Sequence, residues 1–307
     1  MLRFRPKQFL LFGLTVMMSY GTLGQSKTDL FLTSSDTLHK PRLNAVIITE
    51  AALGSAALIG LNQLWYSDYE QSKFHTINDN SEWLQMDKLG HVLTSYHVGR
   101  LGADVLNWAG TTRKDQLIYG ATLGLTFLTF VEVLDGFSEE WGFSWGDMAS
   151  NLSGTGLFVG QELLWEEQRI TLKYSFHQTK YSPMRPERLG ASFLEQTIKD
   201  YNGQTYWLSA NIQSFTKADK FPKWLNLAFG YGADGMLTGN EPTNNLEFPD
   251  QNRIRQYYLS LDIDLERIET NSRVLKSVFS IINFIKIPAP TLEITNNGKV
   301  KFHYLYF

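Results

Sequence analysis

The sequence predicts an α+β protein: an N-terminal four-helix unit over residues 43–165, then an antiparallel β-rich region over residues 166–307, built as a sheet or partial barrel. Two observations predict it. From Leu43 to Trp165, apolar runs of helical length are separated by short polar connections. From Arg169 the period becomes two: Ile170, Leu172, Tyr174 and Phe176 alternate with Arg169, Thr171, Lys173, Ser175 and His177. The boundary falls near Glu166 and Glu167.

Ahead of these regions, Arg3, Arg5 and Lys7 precede a short apolar run, Phe9 to Met18, and small residues stand at Thr22-Leu23-Gly24. That order is a signal peptide over residues 1–24, with cleavage after Gly24 and a mature chain outside the cytoplasm. An uncleaved anchor is the alternative. Residues 25–42 read as a loose N-terminal segment. The chain has no cysteine, which excludes disulfides, thiolate metal sites and a lipobox cysteine. Its 28 basic and 31 acidic residues form no basic stripe, so nucleic acid is not an expected partner. Aromatics make up 14 % of the chain, a load that suits membrane interfaces or sheet surfaces.

The first helix runs from Leu43 to Trp65 with Glu50 as its one charge, followed by an acidic connection over residues 66–82. Asn80-Ser81 is positioned to cap a second helix that ends at Trp108. Thr112 with Asp115 makes a capping pattern for a third, Gln116 to Leu134, whose only charge is Glu132; it is the best transmembrane candidate. Ser144 with Asp147 opens a fourth, ending at Trp165. The pairs Gly120/Gly124 and Gly156/Gly160 have the spacing that lets helices approach closely.

In the second region, strands are expected at Thr205–Phe215, Trp224–Tyr231, Tyr257–Leu265 and Val300–Tyr306, with a hairpin turn at Thr295-Asn-Asn-Gly298. Residues 273–286 have helical, amphipathic spacing. About six strands fall below the eight of the smallest membrane barrels. The aromatic ending at Phe307 nevertheless resembles outer-membrane β-proteins. If the signal is cleaved and all four helices cross the inner membrane, the basic loop with Arg113 and Lys114 faces outward, which reverses the positive-inside rule. Arg100 and Asp104 would also lie deep in the second helix. A helical unit held with its sheet at the outer membrane fits better.

The chemistry concentrates in three polar motifs: Asp87-Lys88-Leu89-Gly90-His91, Glu132 with Asp135-Gly136, and Ser144-x-x-Asp147-x-x-x-Asn151. Charged groups buried without partners cost several kcal/mol, so these motifs are expected to meet. Asp87 and His91, and Asp147 and Asn151, are four apart and share helix faces. The candidate site is Asp87, Lys88, His91, Glu132, Asp135, Asp147 and Asn151. Such a set can bind a divalent metal, or run acid–base chemistry on a phosphate or ester, with His91 as base and Lys88 stabilising negative charge. The bland reading is a structural network in which Asp147 caps its helix, Asp135-Gly136 makes a turn and Lys88 ties helices together. The spacing matches no specific metal-ligand motif, so no metal is assigned, and the cofactor is unknown. His97 lies off the face of His91 and reads as an ordinary satisfied histidine.

Together these motifs resemble the YfiM-like family of predicted periplasmic lipoproteins and, more distantly, the VanZ-like membrane family. The likeness spans roughly residues 85–165. It implies a small helical bundle in the bacterial envelope, of no established activity. Two features depart from the pattern: the Glu132 and Asp135-Gly136 motif, where VanZ-like sequences usually carry Glu, Gln and Arg, and the long β-rich region. The expected function is therefore an envelope component, outer-membrane-associated, whose network is structural or binds a lipid-like ligand. The competing expectation is a membrane-proximal enzyme acting on a lipid-linked headgroup. The expected partner is membrane lipid or another envelope component.

Overall fold

The computed structural model describes residues 21–307 apart from Asp68 and Asp219; most of the expected signal peptide, residues 1–20, lies outside the described residues. Helix α1, Gly21–Leu32, runs through the expected cleavage point. Residues 25–42 are therefore not loose throughout. Arg42 fastens the turn after α1 by donating to Thr33 O (2.7 Å) and Trp108 O (3.0 Å), and its guanidinium lies over the Trp108 ring.

The four predicted helices are present: α2 (Lys40–Tyr66), α3 (Met86–Trp108), α4 (Arg113–Asp135) and α5 (Trp145–Trp165). Both capping patterns form, with Thr112 accepting from Asp115 N and Ser144 accepting from Asp147 N. The Asn80-Ser81 cap does not form. Instead Trp83, Leu84 and Gln85 stand at φ 44°, 51° and 67°, and α3 starts behind them without a side-chain cap. Left-handed backbone at three consecutive non-glycine residues is strained and persists only when its surroundings fix it. Here the sheet does so: Trp83 N donates to Gly239 O, while Tyr231 Oη and Arg255 Nη1 donate to Leu84 O.

The two glycine pairs behave differently. A Cβ on Gly120 would lie 2.6 Å from Ala103 backbone atoms, and one on Gly124 2.4 Å from Ser95 O. These glycines let α3 and α4 touch backbone to backbone. Around Gly156 and Gly160 nothing lies within 4 Å, so that pair packs against no described element. The short strands β1 (Thr76–Ile77) and β2 (Phe143–Ser144) pair in parallel and tie the connections before α3 and α5 to each other.

The second region is an antiparallel six-stranded meander in chain order: β3 (Ile170–Phe176), β4 (Gln204–Asn211), β5 (Leu225–Asp234), β6 (Ile254–Ile263), β7 (Ala289–Thr295) and β8 (Val300–Tyr306). Strand β4 stops short of Phe215, because Asn211 caps a helical turn, Ile212–Thr216. The amphipathic segment forms α6, Arg273–Ile282. The chain after it pairs with the free edge of β3, where Tyr174 N donates to Phe284 O and Lys286 N to Tyr174 O. The sheet curls enough for Tyr306 Oη on β8 to reach Thr205 Oγ1 on β4 (3.3 Å) and Tyr258 Oη on β6 (2.9 Å).

The curl places the polar face inside. On β6, Leu259 and Leu261 are 40 % and 45 % exposed, while Ser260 and Asp262 are 4 % and 1 % exposed. Lys173, Ser175, Thr205, Trp207, Ser209 and Thr291 are buried on the same inner side. Phe229, Ile294, Phe302 and Tyr304 stand outside. The helices cover the outer face near β3, where Leu172 packs with Tyr96, Ala103, Ala121 and Phe158, and at Tyr206 of β4 and Tyr231 of β5, which pack with Met86 and Leu84. The helices follow the same rule. Ile48, Leu53, Ile118, Phe130, Leu152 and Leu164 are exposed, whereas Glu132, Asp147 and Asn151 are buried.

Candidate functional site

One end of the bundle gathers most of the expected site. Asp87 and Lys88 sit in the first turn of α3 with His91 one turn on; Asp147 sits in the first turn of α5 with Asn151 one turn on; Glu132 lies near the end of α4. Lys88 Nζ bridges Asp147 Oδ2 (2.8 Å), Asp79 Oδ2 (2.7 Å) and Asp87 Oδ2 (3.3 Å). His91 Nδ1 is 3.0 Å from Asn151 Oδ1. On its other side, Nε2 faces Asp147 Oδ1 at 3.7 Å, Glu132 Oε1 at 3.8 Å and Asp87 Oδ1 at 3.9 Å. Asp135 is not brought to the imidazole in this way. Its Oδ1 accepts from Tyr66 Oη (2.6 Å), which ties the ends of α2 and α4.

Several contributors carry no signal in the sequence. Asp79 comes from the acidic connection and has no motif around it. Tyr201, 114 positions from Asp87, donates to Asp87 Oδ1 (2.8 Å). Ser144 does more than cap α5. Its hydroxyl donates to Asp79 Oδ1 (2.6 Å) and accepts from Asp147 N, while its own N–H donates to Glu132 Oε2 (3.0 Å). One cap residue thus orients two carboxylates and fixes the backbone of a third acid, and the capping pattern was its only trace in the sequence.

The electrostatics follow from burial set against Lys88. Burial raises the Asp147 carboxyl to about 6, helped by Asp87, while His91 and Lys88 pull the other way. Burial also acts on Asp79, but hydrogen bonds from Lys88 and Ser144 hold it below the usual carboxylate range. For Lys88, burial disfavours the ammonium, yet Asp87 and Asp147 outweigh it and raise its pKa. Burial likewise works against His91, and Asp87, Asp147 and Glu132 raise it on balance. The cluster thus holds positive charge in its centre. His97, one helix face away, donates from Nε2 to Leu172 O (2.7 Å) and joins α3 to the sheet.

Not every buried polar atom is satisfied. Glu132 Oε1, Asp147 Oδ1, Asn151 Nδ2 and Thr155 Oγ1 are buried with no hydrogen-bond partner. Asp147, Asn151 and Thr155 recur every fourth residue and form one stripe of α5. Buried polar groups in folded proteins are nearly always paired, so four such atoms in one place set this cluster apart from a purely structural network.

At the other end of the bundle a cleft of about 520 Å³ is lined by Arg100, Asp104, Arg113, Glu162, Glu266 and Arg267. Its charges are largely paired among themselves: Arg100 with Glu266, Arg113 with Glu162, and Arg267 with Asp264 and Glu167. Arg100 and Asp104, costly if turned to lipid, face this cleft. This cleft and the candidate chemistry therefore lie at opposite ends, and the unsatisfied atoms favour the carboxylate–histidine end.

No curated protein matches the chain, and no solved structure does. Residues 76–160 match the family model described as "Predicted periplasmic lipoprotein (DUF2279)". The match covers β1 to most of α5, and with them Asp79, Asp87, Lys88, His91, Glu132, Asp135, Asp147 and Asn151. It supports an uncharacterised protein of the periplasm or envelope, and it stops before the sheet. This chain departs from the description in having no cysteine to carry a lipobox lipid.

Proposed function

We propose that the chain is an integral protein of a bacterial envelope membrane, the outer one, and that its carboxylate–histidine–lysine cluster binds a lipid-linked headgroup at the membrane surface. The observation that carries this is the inverted arrangement of side chains. Both the bundle and the curled sheet turn apolar residues outward and polar residues inward, as in membrane barrels. Helices α2 and α4 are long and apolar enough to cross a bilayer. Between Asp115 and Glu132, α4 carries no charge, a rise of about 25 Å at 1.5 Å per residue. Between Asp147 and Glu162, α5 spans about 22 Å in the same way. Those lengths approach the ~25–30 Å apolar layer of a membrane. The cluster then sits at one edge of that layer, where a headgroup reaches it and an acyl chain stays in hydrocarbon.

The test is density-gradient fractionation with alkaline carbonate extraction, followed by native mass spectrometry of the detergent-purified chain. Carbonate-resistant protein in the outer-membrane fraction, with retained lipid that Asp147→Asn reduces, supports the reading. Release into the soluble fraction overturns it. Catalysis on the same headgroup is the second reading. The observation favouring it is the orientation of His91, whose Nδ1 is engaged by Asn151 while Nε2 faces the carboxylates.

A further inference from the structure

The carboxylate oxygens of the cluster fall into two sets. One oxygen each from Asp79, Asp87 and Asp147 goes to Lys88. The other set, Asp87 Oδ1, Glu132 Oε1 and Asp147 Oδ1, surrounds His91 Nε2 at 3.9, 3.8 and 3.7 Å. Those separations are too long for hydrogen bonds, which run to roughly 3.2 Å. They match two ligands of one cation: donors about 2.1–2.4 Å from an ion at tetrahedral angles lie roughly 3.4–3.9 Å apart.

A second, independent observation points the same way. Glu132 is 1 % exposed, and its Oε1, aimed at Nε2, has no hydrogen-bond partner; Asp147 Oδ1 is likewise buried and unpartnered. Charge adds a third. Asp79, Asp87, Glu132 and Asp147 are acidic, and Lys88 is the one lysine or arginine among them. With Asn151 Oδ1 accepting from Nδ1–H, Nε2 is the ring atom left facing the carboxylates, the place that a proton or a cation fills.

We propose that Asp87, His91 and Asp147, whose donor atoms lie within 4.8 Å of one another, form a site for one divalent first-row transition ion, zinc or manganese in character, with Glu132 Oε1 at its flank 3.8 Å from Nε2. One imidazole with carboxylates and no thiolate is the donor set such ions accept. Asn151 orients the imidazole from behind, as hydrogen-bond partners of metal-bound histidines do. Lys88 holds the outer oxygens, so the inner ones are presented together. This deepens the headgroup reading, on which it rests for its purpose: the ion supplies the positive charge through which an anionic headgroup, such as a phosphate, would be held.

The experiment uses the full chain in detergent, stripped with EDTA and titrated without lipid, so its result is independent of whether a headgroup binds. Zinc is followed by calorimetry and cobalt by visible absorption. One ion per chain is expected, with cobalt bands that EDTA abolishes. Asp147→Asn and His91→Ala should weaken binding at least 100-fold, and Asn151→Ala roughly 10- to 100-fold. His75→Ala, away from the cluster, serves as the control and should change nothing. Circular dichroism checks that each variant is folded, and the wild-type stoichiometry and cobalt spectrum stand without any variant. No stoichiometric ion in the wild type, or a cobalt spectrum unchanged by His91→Ala in folded protein, overturns the site. A bound ion with no retained lipid overturns the headgroup reading and leaves the metal site standing.

Discussion

The helical bundle and the curled sheet solve the same problem in different ways. Both keep charged groups inside an apolar exterior, but the sheet's inner network around Asp262 is satisfied and the bundle's is not; at the sheet's end only Arg253, ahead of β6, has buried guanidinium nitrogens without a partner among the described residues. Within the sheet, Lys173 Nζ pairs with Asp262 Oδ2 (2.8 Å) and donates to Ile263 O. Asp262 also accepts from Ser209 Oγ (2.6 Å), and Asn226 links Ser209 to Asn211. Lys286 donates to Leu261 O and Ile287 O and lies over the Trp207 ring. None of these side-chain atoms is left unpaired among the described residues. In the bundle, Glu132 Oε1 and Asp147 Oδ1 face His91 without a partner, and Asn151 Nδ2 and Thr155 Oγ1 on the same stripe of α5 are left over too. Closed networks rigidify a fold, whereas open ones await another group. The sheet's interior is thus structure, and the end of the bundle is the site.

The largest effect that sharpens this contrast is expected in the sheet. Asp262→Ala leaves Lys173 as a buried charge without its partner and should cost about 3–5 kcal/mol. Chemical unfolding in detergent reads this, and a loss below 1 kcal/mol would mean that the interior is wetter than the burial implies. Next comes the outer face. Leu259→Arg should cost about 2–4 kcal/mol if Leu259 faces the middle of a bilayer. The same change would stay within about 0.5 kcal/mol if that face is in water. Refolding into vesicles against refolding in micelles separates the two outcomes and tests the membrane reading directly.

Helix packing gives a smaller, internally controlled pair. Gly120→Ala drives a methyl into the Ala103 backbone and should cost about 1–3 kcal/mol, while Gly156→Ala, with open space around it, should stay within about 0.5 kcal/mol. Equal effects would show that the α3–α4 contact is not as close as described. A modest change is expected at the site itself. His91→Ala removes the hydrogen bond to Asn151 and a charge partner of three carboxylates, and should lower the stability of the metal-free protein by about 1–2 kcal/mol. A loss as large as that of Asp262→Ala would make the bundle cluster structural after all.

Much of the local architecture was legible in the sequence because its signals are local. Caps at Thr112 and Ser144 depend on residues three apart, and both form. The strand alternation from Ile170 and the amphipathic segment of α6 follow in the same way. The failures have a common origin. Asn80-Ser81 has the composition of a cap, but Tyr231, Arg255 and Gly239 hold residues 83–85 in left-handed backbone, and no local rule anticipates partners that far along the chain. The site divides in the same manner. Its motif residues were identifiable, whereas Asp79 and Tyr201, which complete the cluster, have no motif, and Asp135 turns to Tyr66 instead.

By itself, the sequence determined where the four long helices and most of the strands run, because periodicity and capping are set by neighbours within one or two turns. It also determined that the strands read from alternation, such as β3, have one apolar face. Which face turns inward was decided only by the tertiary structure. Alternation is identical for a sheet around an apolar core and for one with a polar interior, and only the curl that brings Tyr306 against Tyr258 puts the polar side within. Likewise, the sequence supplied carboxylates, an imidazole and an ammonium, but the close packing of α3 on α4 and α5 decided which oxygens face Lys88 and which face His91. That division is a matter of ångströms between helices, and no spacing along a single chain encodes it.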